Sequence, residues 1–308
     1  MQGAATGWRS EIITQHAKMT YSMNMMVVQT RDGINQIPIA DINLLLVSTT
    51  QAVITSALIS KLAENQTKVI CVEEKDEPVV ETVGYYPGAR NLSKLNSQFN
   101  WDIQLKEKLW TKIVDRKITN QIAVLKNYQL EWQNVQDKID QLELDDATNR
   151  EAIAARKYFM TLFDKTFVRR DNNAVNGALD YGYAILLASF NREIAVNGYL
   201  SYLGIHHHSE ENCFNLASDL MEPFRPFVDY WVKVHEKIKQ LTPDIKYGLV
   251  ELLSLEIKYN NKKTILSNAI SKYVHDCLCF LSGKTKELPE MEMALTNEGP
   301  NDALNDNV

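Results

Sequence analysis

Between Trp101 and Leu125 the apolar residues Leu105, Leu109, Trp110, Ile113, Val114, Ile118, Ile122 and Leu125 recur at intervals of three and four. That interval lines one face of an α-helix. A long helix with so apolar a face has to be covered by other elements, so this stretch requires a helical domain around it. Helical segments are predicted to follow at about 119–139, 148–163, 175–198, 223–240, 244–258 and 263–282. Before Trp101 the pattern is different. Short runs rich in Ile, Val, Met, Thr and Tyr stand at 11–14, 19–23, 25–30, 42–47, 68–73 and 79–83, as strands do. Asp32-Gly33 marks a turn between two of them. One helix interrupts from about Ile54 to Asn65, with Ile54, Leu58, Ile59 and Leu62 at helical spacing.

The fold class expected is therefore α+β: a small N-terminal β domain over 8–83 and a larger all-helical domain over 101–286. Residues 84–100, with Pro87, Gly88, Asn91, Ser93, Asn96 and Ser97, have the composition of a linker. Residues 1–7 are small and polar and are expected to be a disordered lead or an expression remnant. Residues 287–308 hold Glu287, Glu290, Glu292, Glu298, Asp302 and Asp306 and no Lys or Arg. This acidic tail is expected to be disordered, having too little apolar surface to order itself. It also accounts for the net charge of −6, so the body is neutral and can carry a basic face. No apolar run reaches the roughly eighteen residues of a membrane span, and no signal peptide is visible. Cys71, Cys213, Cys277 and Cys279 form no CxxC pair. A cytoplasmic protein without a membrane is the expectation.

One stretch concentrates groups that ligate metals. His206 to Pro226 places three histidines, a polar loop, an apolar segment and then Glu222 before Pro223 and Pro226, which restart the chain as a helix. Imidazole and carboxylate suit Mg²⁺, Mn²⁺ or Zn²⁺, but a third ligand must come from elsewhere. Glu151 is available, at the start of a helix opened by Thr148-Asn149-Arg150. Each residue also has a plain structural reading. Glu151 fits a capping box with Thr148 as N-cap. The histidines fit a solvated loop, and Glu222 fits an acid favoured in a first helical turn. Asp219, three residues before Glu222, fits either a helix N-cap or a group that supports or replaces a ligand.

Four motifs break the tie between these readings: Asn149-Arg150-Glu151-Ala-Ile-Ala-Ala-Arg156-Lys157-Tyr158-Phe159, Asn176-Gly-Ala-Leu-Asp180-Tyr181-Gly182-Tyr183, Gly204-Ile205-His206-His207, and Ala217-Ser218-Asp219-Leu220-Met221-Glu222-Pro223-Phe224-Arg225-Pro226. Through them, and from Gly7-Trp8-Arg9 to about residue 285, the chain resembles the CRISPR-associated spacer-acquisition integrases, most closely those of type II-A systems. The resemblance implies an N-terminal β-sandwich, a helical catalytic domain, and Glu151, His207 and Glu222 as catalytic ligands of Mg²⁺ or Mn²⁺. His207 is chosen among the three histidines by its place in the glycine-led motif. Also implied are a homodimer and a four-plus-two hexamer in which two dimers flank a dimer of a small ferredoxin-like partner. An accessory DNA-end-binding protein and the effector nuclease are further candidate partners. The lead and the acidic tail depart from the family pattern.

The implied reaction is a transesterification. The 3′-hydroxyl of double-stranded DNA attacks a phosphodiester at an end of the CRISPR repeat, and a divalent ion lowers the hydroxyl pKa and offsets transition-state charge. Two carboxylates and an imidazole leave coordination positions open for DNA oxygens, unlike a closed structural zinc site. Arg156, Lys157, Arg169, Arg170 and Arg225 are candidates to hold phosphates, and Lys258, Lys262 and Lys263 form a further basic cluster. Tyr181 and Tyr183 either pack in the helical core or line the site. His16, just after the first strand, is either an exposed turn residue or, by the resemblance, the ring that stacks on the end of the incoming duplex. Two other functions use the same residues: an endonuclease on branched DNA, with water as nucleophile, and a non-catalytic subunit that presents DNA.

Overall fold

The computed structural model describes residues 9–72, 78–82, 92–235 and 237–295. The lead, residues 84–91 of the linker and the end of the tail lie outside these. The chain forms two compact units, one of residues 1–92 with 195–199 and one of residues 93–194 with 200–308.

The first unit is strand-rich, as its period-two runs require. Its strands are β1 (Arg9–Ile13), β2 (Lys18–Ser22), β3 (Met25–Gln29), β4 (Ile34–Pro38), β5 (Ile42–Val47), β6 (Val53–Ile54), β7 (Lys68–Val72) and β8 (Pro78–Glu81), with helix α1 (Ser56–Glu64) between β6 and β7. They make two four-stranded sheets, ordered β1-β5-β7-β8 and β4-β3-β2-β6. In the first sheet β5 runs parallel to both β1 and β7. A strand between two parallel neighbours is covered on both faces, and Leu44, Leu45 and Leu46 are all buried. Residues of both sheets share one core: Ile13, Ile42 and Leu45 from one and Met19, Met26 and Val28 from the other, closed by Leu58 and Leu62 of α1. The β2–β3 hairpin turns through Met23 and Asn24, both at positive φ, the two-residue geometry that matches strand twist. Two strands go beyond the sequence expectation. In β4 the residues Asn35 and Gln36 lie exposed, and β6 has two residues; edge strands bury too little to leave an apolar run.

The second unit is built on helices α2 (Leu92–Phe99), α3 (Ile103–Asn127), α4 (Gln133–Ile139), α5 (Arg150–Leu162), α6 (Ala174–Val196), α7 (Asn215–Met221), α8 (Arg225–Val234), α9 (Pro243–Glu251) and α10 (Leu266–Leu281). Asp102 caps α3 by accepting the Gln104 N–H at 2.8 Å. The helix then runs unbroken for 25 residues, about 37 Å at the standard rise, because its apolar interval never fails. It stops where Tyr128 caps it and Gln129 adopts positive φ, so the expected segment 119–139 is the end of α3 plus α4.

Three expectations are corrected here. The linker span carries α2, whose buried Gln98 side chain donates to the Leu200 carbonyl at 2.7 Å and accepts the Leu200 N–H at 2.8 Å. The helical unit contains a small antiparallel sheet, β10-β9-β11, of β9 (Glu256–Tyr259), β10 (Lys262–Ile265) and β11 (Met293–Leu295). Asn260 and Asn261, both at positive φ, turn β9 into β10. Finally, the acidic tail is ordered as far as β11. Its Met291 is fully buried, and its main chain at Glu292 accepts the Asn260 N–H at 2.9 Å and donates to the Asn260 side chain at 3.0 Å. Among the described residues no helix is long and apolar enough to cross a membrane.

Met291→Ala should lower unfolding free energy by about 2–5 kcal/mol, the cost of emptying a buried methionine site, measured by chemical denaturation. An unstructured tail would give no change.

Candidate active site

Helix α3 carries the site on one face. Lys117, two turns below Trp110, is buried although it falls on the apolar stripe. Its ammonium is ion-paired with two carboxylates, Glu151 of α5 and Glu222 of the 3₁₀ turn Glu222–Phe224 between α7 and α8. One turn further on, Asn120 donates to the Pro223 carbonyl at 2.7 Å, which fixes the turn that presents Glu222. Trp110 stacks on His206 with centroids 4.3 Å apart and meets His207 edge-on at 5.8 Å. All three predicted ligand elements therefore lean on one helix.

Glu151 is not the acid of a capping box. The residue before α5 is Asn149, in the left-handed region, and neither it nor Thr148 caps the helix. Asp146 does so from outside: its carboxylate accepts the N–H groups of Arg150 at 2.6 Å and Glu151 at 3.0 Å. This needs a contorted connection, with Asp145, Asp146 and Asn149 all at positive φ, a conformation Asp and Asn tolerate best. Thr111 of α3 anchors it by accepting the Asp145 N–H at 2.7 Å. The Glu151 side chain is thereby free to turn toward Lys117.

Asp219 is neither an N-cap nor exposed to solvent. It lies inside α7, fully buried. Its carboxylate accepts the backbone N–H groups of Ile205 at 2.6 Å, His206 at 2.9 Å and His207 at 3.2 Å, and meets His207 Nδ1 at 2.5 Å. This holds Nδ1 as the protonated nitrogen and leaves Nε2 as the lone-pair donor, the arrangement that orients histidine ligands in metal sites. The hydrogen bond that His207 donates to Asp219 is the main cause of a raised His207 pKa; burial opposes it, and the charges of Asp219, Glu222 and Glu151 add to it. Gly204 permits this loop, because a Cβ there would stand 2.3 Å from the His207 carbonyl and 2.8 Å from Asp219 Oδ2.

Glu222 is almost fully buried, as is its environment. Burial alone would raise its pKa, but Arg225, at 2.7 Å from Oε1, and Lys117 bring it down to about 2. Lys117 shows the mirror effect: burial would lower it, and Glu222 and Glu151 together raise it. Arg225 lies over the Tyr183 ring at 4.2 Å, and Tyr183 donates its hydroxyl to buried Asp229. Burial pushes Asp229 up to about 6 despite that hydrogen bond.

A cleft of about 750 Å³ opens beside Glu151 and Lys117; Arg156, Lys165, Arg169, Arg170 and Arg225 all line it, with Phe159 and Phe167. Arg169 is engaged with Asn176 at 3.1 Å and Asp180 at 2.5 Å, while Arg156 and Arg170 are exposed. Lys157 does not line the cleft, nor do Lys258, Lys262 and Lys263, which sit exposed on the β9–β10 hairpin. Tyr183 lines it and Tyr181 packs in α6. His16 is in the first unit, exposed between β1 and β2, with Nδ1 donating to the Gln51 carbonyl at 2.9 Å.

The chain is similar to known proteins along most of its length. The family model for CRISPR associated protein Cas1 matches residues 11–245. The CRISPR-associated endonuclease Cas1 of Neisseria meningitidis serogroup C is 34% identical over 293 residues, 92% of this chain and 96% of that one. The chain belongs to the Cas1 family. Solved structures share the fold: a casposase bound to integration product has a TM-score of 0.78 at 19% identity, over 92% of this chain and 95% of that one. A Cas1 protein from Thermotoga maritima has a TM-score of 0.74 at 15% identity, over 90% of this chain and 97% of that one. A chain of a Cas6-RT-Cas1–Cas2 complex has 0.73 at 16% identity, over 96% of this chain and 37% of that one.

Lys117, Asp146 and Lys165 were not among the residues the sequence singled out, and Trp110 entered only as part of an apolar helix face. A lysine at core spacing on an apolar helix face is the one signal available for Lys117, since lysine is almost never fully buried without a partner.

Asp146→Ala should destabilise the protein by about 1–2 kcal/mol, and Thr148→Ala by less than about 0.5 kcal/mol; chemical denaturation of both variants reverses this order if the capping box exists. Gly204→Ala should cost more than either and release the backbone amides of 205–207 to fast hydrogen exchange. Unchanged protection there would contradict the close approach at Gly204.

Proposed function

We propose that this chain is a divalent-metal-dependent DNA integrase that inserts new spacers into a CRISPR array. The observation that carries the proposal is the Glu151–Glu222 pair, Glu222 buried and Glu151 partly so, sharing one cation beside His207. Two carboxylates buried together repel unless a positive charge lies between them. Among the described residues no three His, Cys, Asp or Glu side chains are close enough to hold an ion with the Lys117 ammonium in that place. The donor set nevertheless fits Mg²⁺ or Mn²⁺. Glu222 Oε2 makes an ion pair with Lys117 but is out of line for a hydrogen bond, and His207 presents Nε2. An ion held by Glu151, His207 and Glu222 would activate the attacking 3′-hydroxyl and offset charge on the phosphate.

The chain's own groups have distinct roles in this reading. Asp219 holds His207 in one tautomer. Arg225 keeps Glu222 ionised and aimed. Arg156, Lys165 and Arg170 line the cleft that leads to Glu151 and are placed to hold phosphates of a DNA strand. The casposase neighbour is described with an integration product, which supports joining as the reaction. The Neisseria relative is named an endonuclease, which favours hydrolysis of branched DNA as a second activity of the same site. The Cas6-RT-Cas1–Cas2 neighbour supports a Cas2-like small partner. A homodimer and a four-plus-two hexamer with that partner complete the proposed assembly, acting in the cytoplasm on duplex DNA with 3′-hydroxyl ends and on repeat DNA.

Glu151→Ala, His207→Ala and Glu222→Ala should each abolish joining of a labelled duplex to a repeat-bearing plasmid in Mn²⁺ with the small partner, while duplex binding persists. Joining by Glu151→Ala at the wild-type rate would refute the ligand assignment. Cleavage without joining by the wild type would favour the hydrolytic reading, and binding alone the presenting subunit.

A further inference from the structure

Lys117 has no place in the reaction as just described, yet it is at the centre of the site. Its ammonium contacts one oxygen of Glu151 and one of Glu222, and its side chain and that of Glu222 are each only 7% exposed. We propose that Lys117 is a positioning residue that holds the two carboxylates as a pair and gives up its place to the divalent ion. This rests on the ion-site reading above.

Charge and geometry both lead there. Glu151 and Glu222 come from elements far apart in sequence and meet at one ammonium, with Glu222 buried and Glu151 partly exposed. Arg225 is ion-paired with Oε1 of Glu222, whereas Lys117 is ion-paired with Oε2. Among the described residues, the one cation ion-paired with both carboxylates is Lys117. Removing it leaves two adjacent carboxylates with no cation between them, which drives them apart. An ammonium that bridges two carboxylate oxygens occupies the position a shared cation would take, so both cannot be there at once. Lysine suits a part that must yield: it is a compact charge on a flexible stem, whereas arginine grips carboxylates in a rigid fork. The stem also has somewhere to go. Lys117 lines the same cleft as Arg156, Lys165 and Arg170, so a displaced ammonium joins the cations that face the DNA phosphates. Its backbone does not move with it, because Asn120 on the next turn is tied to the Pro223 carbonyl.

The test compares the wild-type chain with Lys117→Met and Lys117→Arg, using thermal unfolding in EDTA and in Mn²⁺ together with Mn²⁺ titration by calorimetry. Lys117→Met should melt roughly 5–10 °C below the wild type in EDTA, recover most of that loss in Mn²⁺, and bind Mn²⁺ about tenfold or more tightly. Lys117→Arg keeps a buried cation, so it should fold normally in EDTA and bind Mn²⁺ about tenfold or more weakly. If Lys117→Met does not fold, the arginine variant decides alone. Equal Mn²⁺ affinity in wild type and variants, or weaker binding by Lys117→Met, overturns the exchange while leaving the ion site intact. If the wild type itself takes up no Mn²⁺, the ion-site reading fails and this inference with it.

Discussion

One buried ammonium shared by two carboxylates is the interaction on which the rest of the second unit depends. Lys117 stands on α3, and α3 is long because its apolar interval runs unbroken from Leu105 to Leu125. Everything that the site needs is then attached to that helix by a separate contact. Thr111 holds the connection that leads into α5, Trp110 packs the histidine loop, and Asn120 fixes the turn at Pro223. The buried helix thus serves as the rigid base, and the groups with chemistry project from short turns set against it. Such turns carry conformations that a regular element excludes: three positive-φ residues before α5, a glycine that leaves no room for a Cβ, and a 3₁₀ turn bearing Glu222 and Pro223. Strain of this kind persists where the surroundings over-determine it, as they do at functional sites.

The sequence revealed most where burial is repetitive. The strand runs of the first unit correspond to β1, β2, β3, β5, β7 and β8, and the helical intervals correspond to α3, α5, α6 and α10. It revealed little where the signal lies in one or two residues. Asn260-Asn261 is a hairpin turn between alternating strands, and the expected helices on each side of it hid β9 and β10. The acidic composition of the tail hid Met291, because a single buried methionine and a three-residue strand added to an existing edge leave no pattern. The proposed ligands Glu151, His207 and Glu222 were singled out through motifs and family resemblance, and the structure brings Glu151 and Glu222 together on Lys117. Their supports were not singled out. Asp146 caps α5 from outside the usual capping position, and Lys117 takes its meaning from partners on two other elements. Local spacing also favoured a capping box at Thr148, and the positive φ at Asn149 is what removes it.

Electrostatics give the site its polarity. On one side are Arg225, stacked on Tyr183 above buried Asp229, and the cleft with its exposed Arg156 and Arg170. On the other is Asp219, sealed from solvent and satisfied by three backbone amides and an imidazole. Between them lie Glu151, Glu222 and His207. In the proposed function, anionic DNA approaching by the cleft meets cations first and the carboxylates last. A net charge of −6 is compatible with such a cationic cleft, since residues 287–308 hold six acids and no Lys or Arg.

The central claim is that Glu151, His207 and Glu222 hold one divalent ion in the place where Lys117 now bridges the two carboxylates. The most direct test is anomalous diffraction at the manganese edge from crystals of the full chain grown with Mn²⁺. The account predicts one manganese peak per chain, bonded to both carboxylates and to His207 Nε2, with the Lys117 ammonium withdrawn into the cleft. No peak at these residues, with Lys117 still joined to both carboxylates at saturating Mn²⁺, would contradict it.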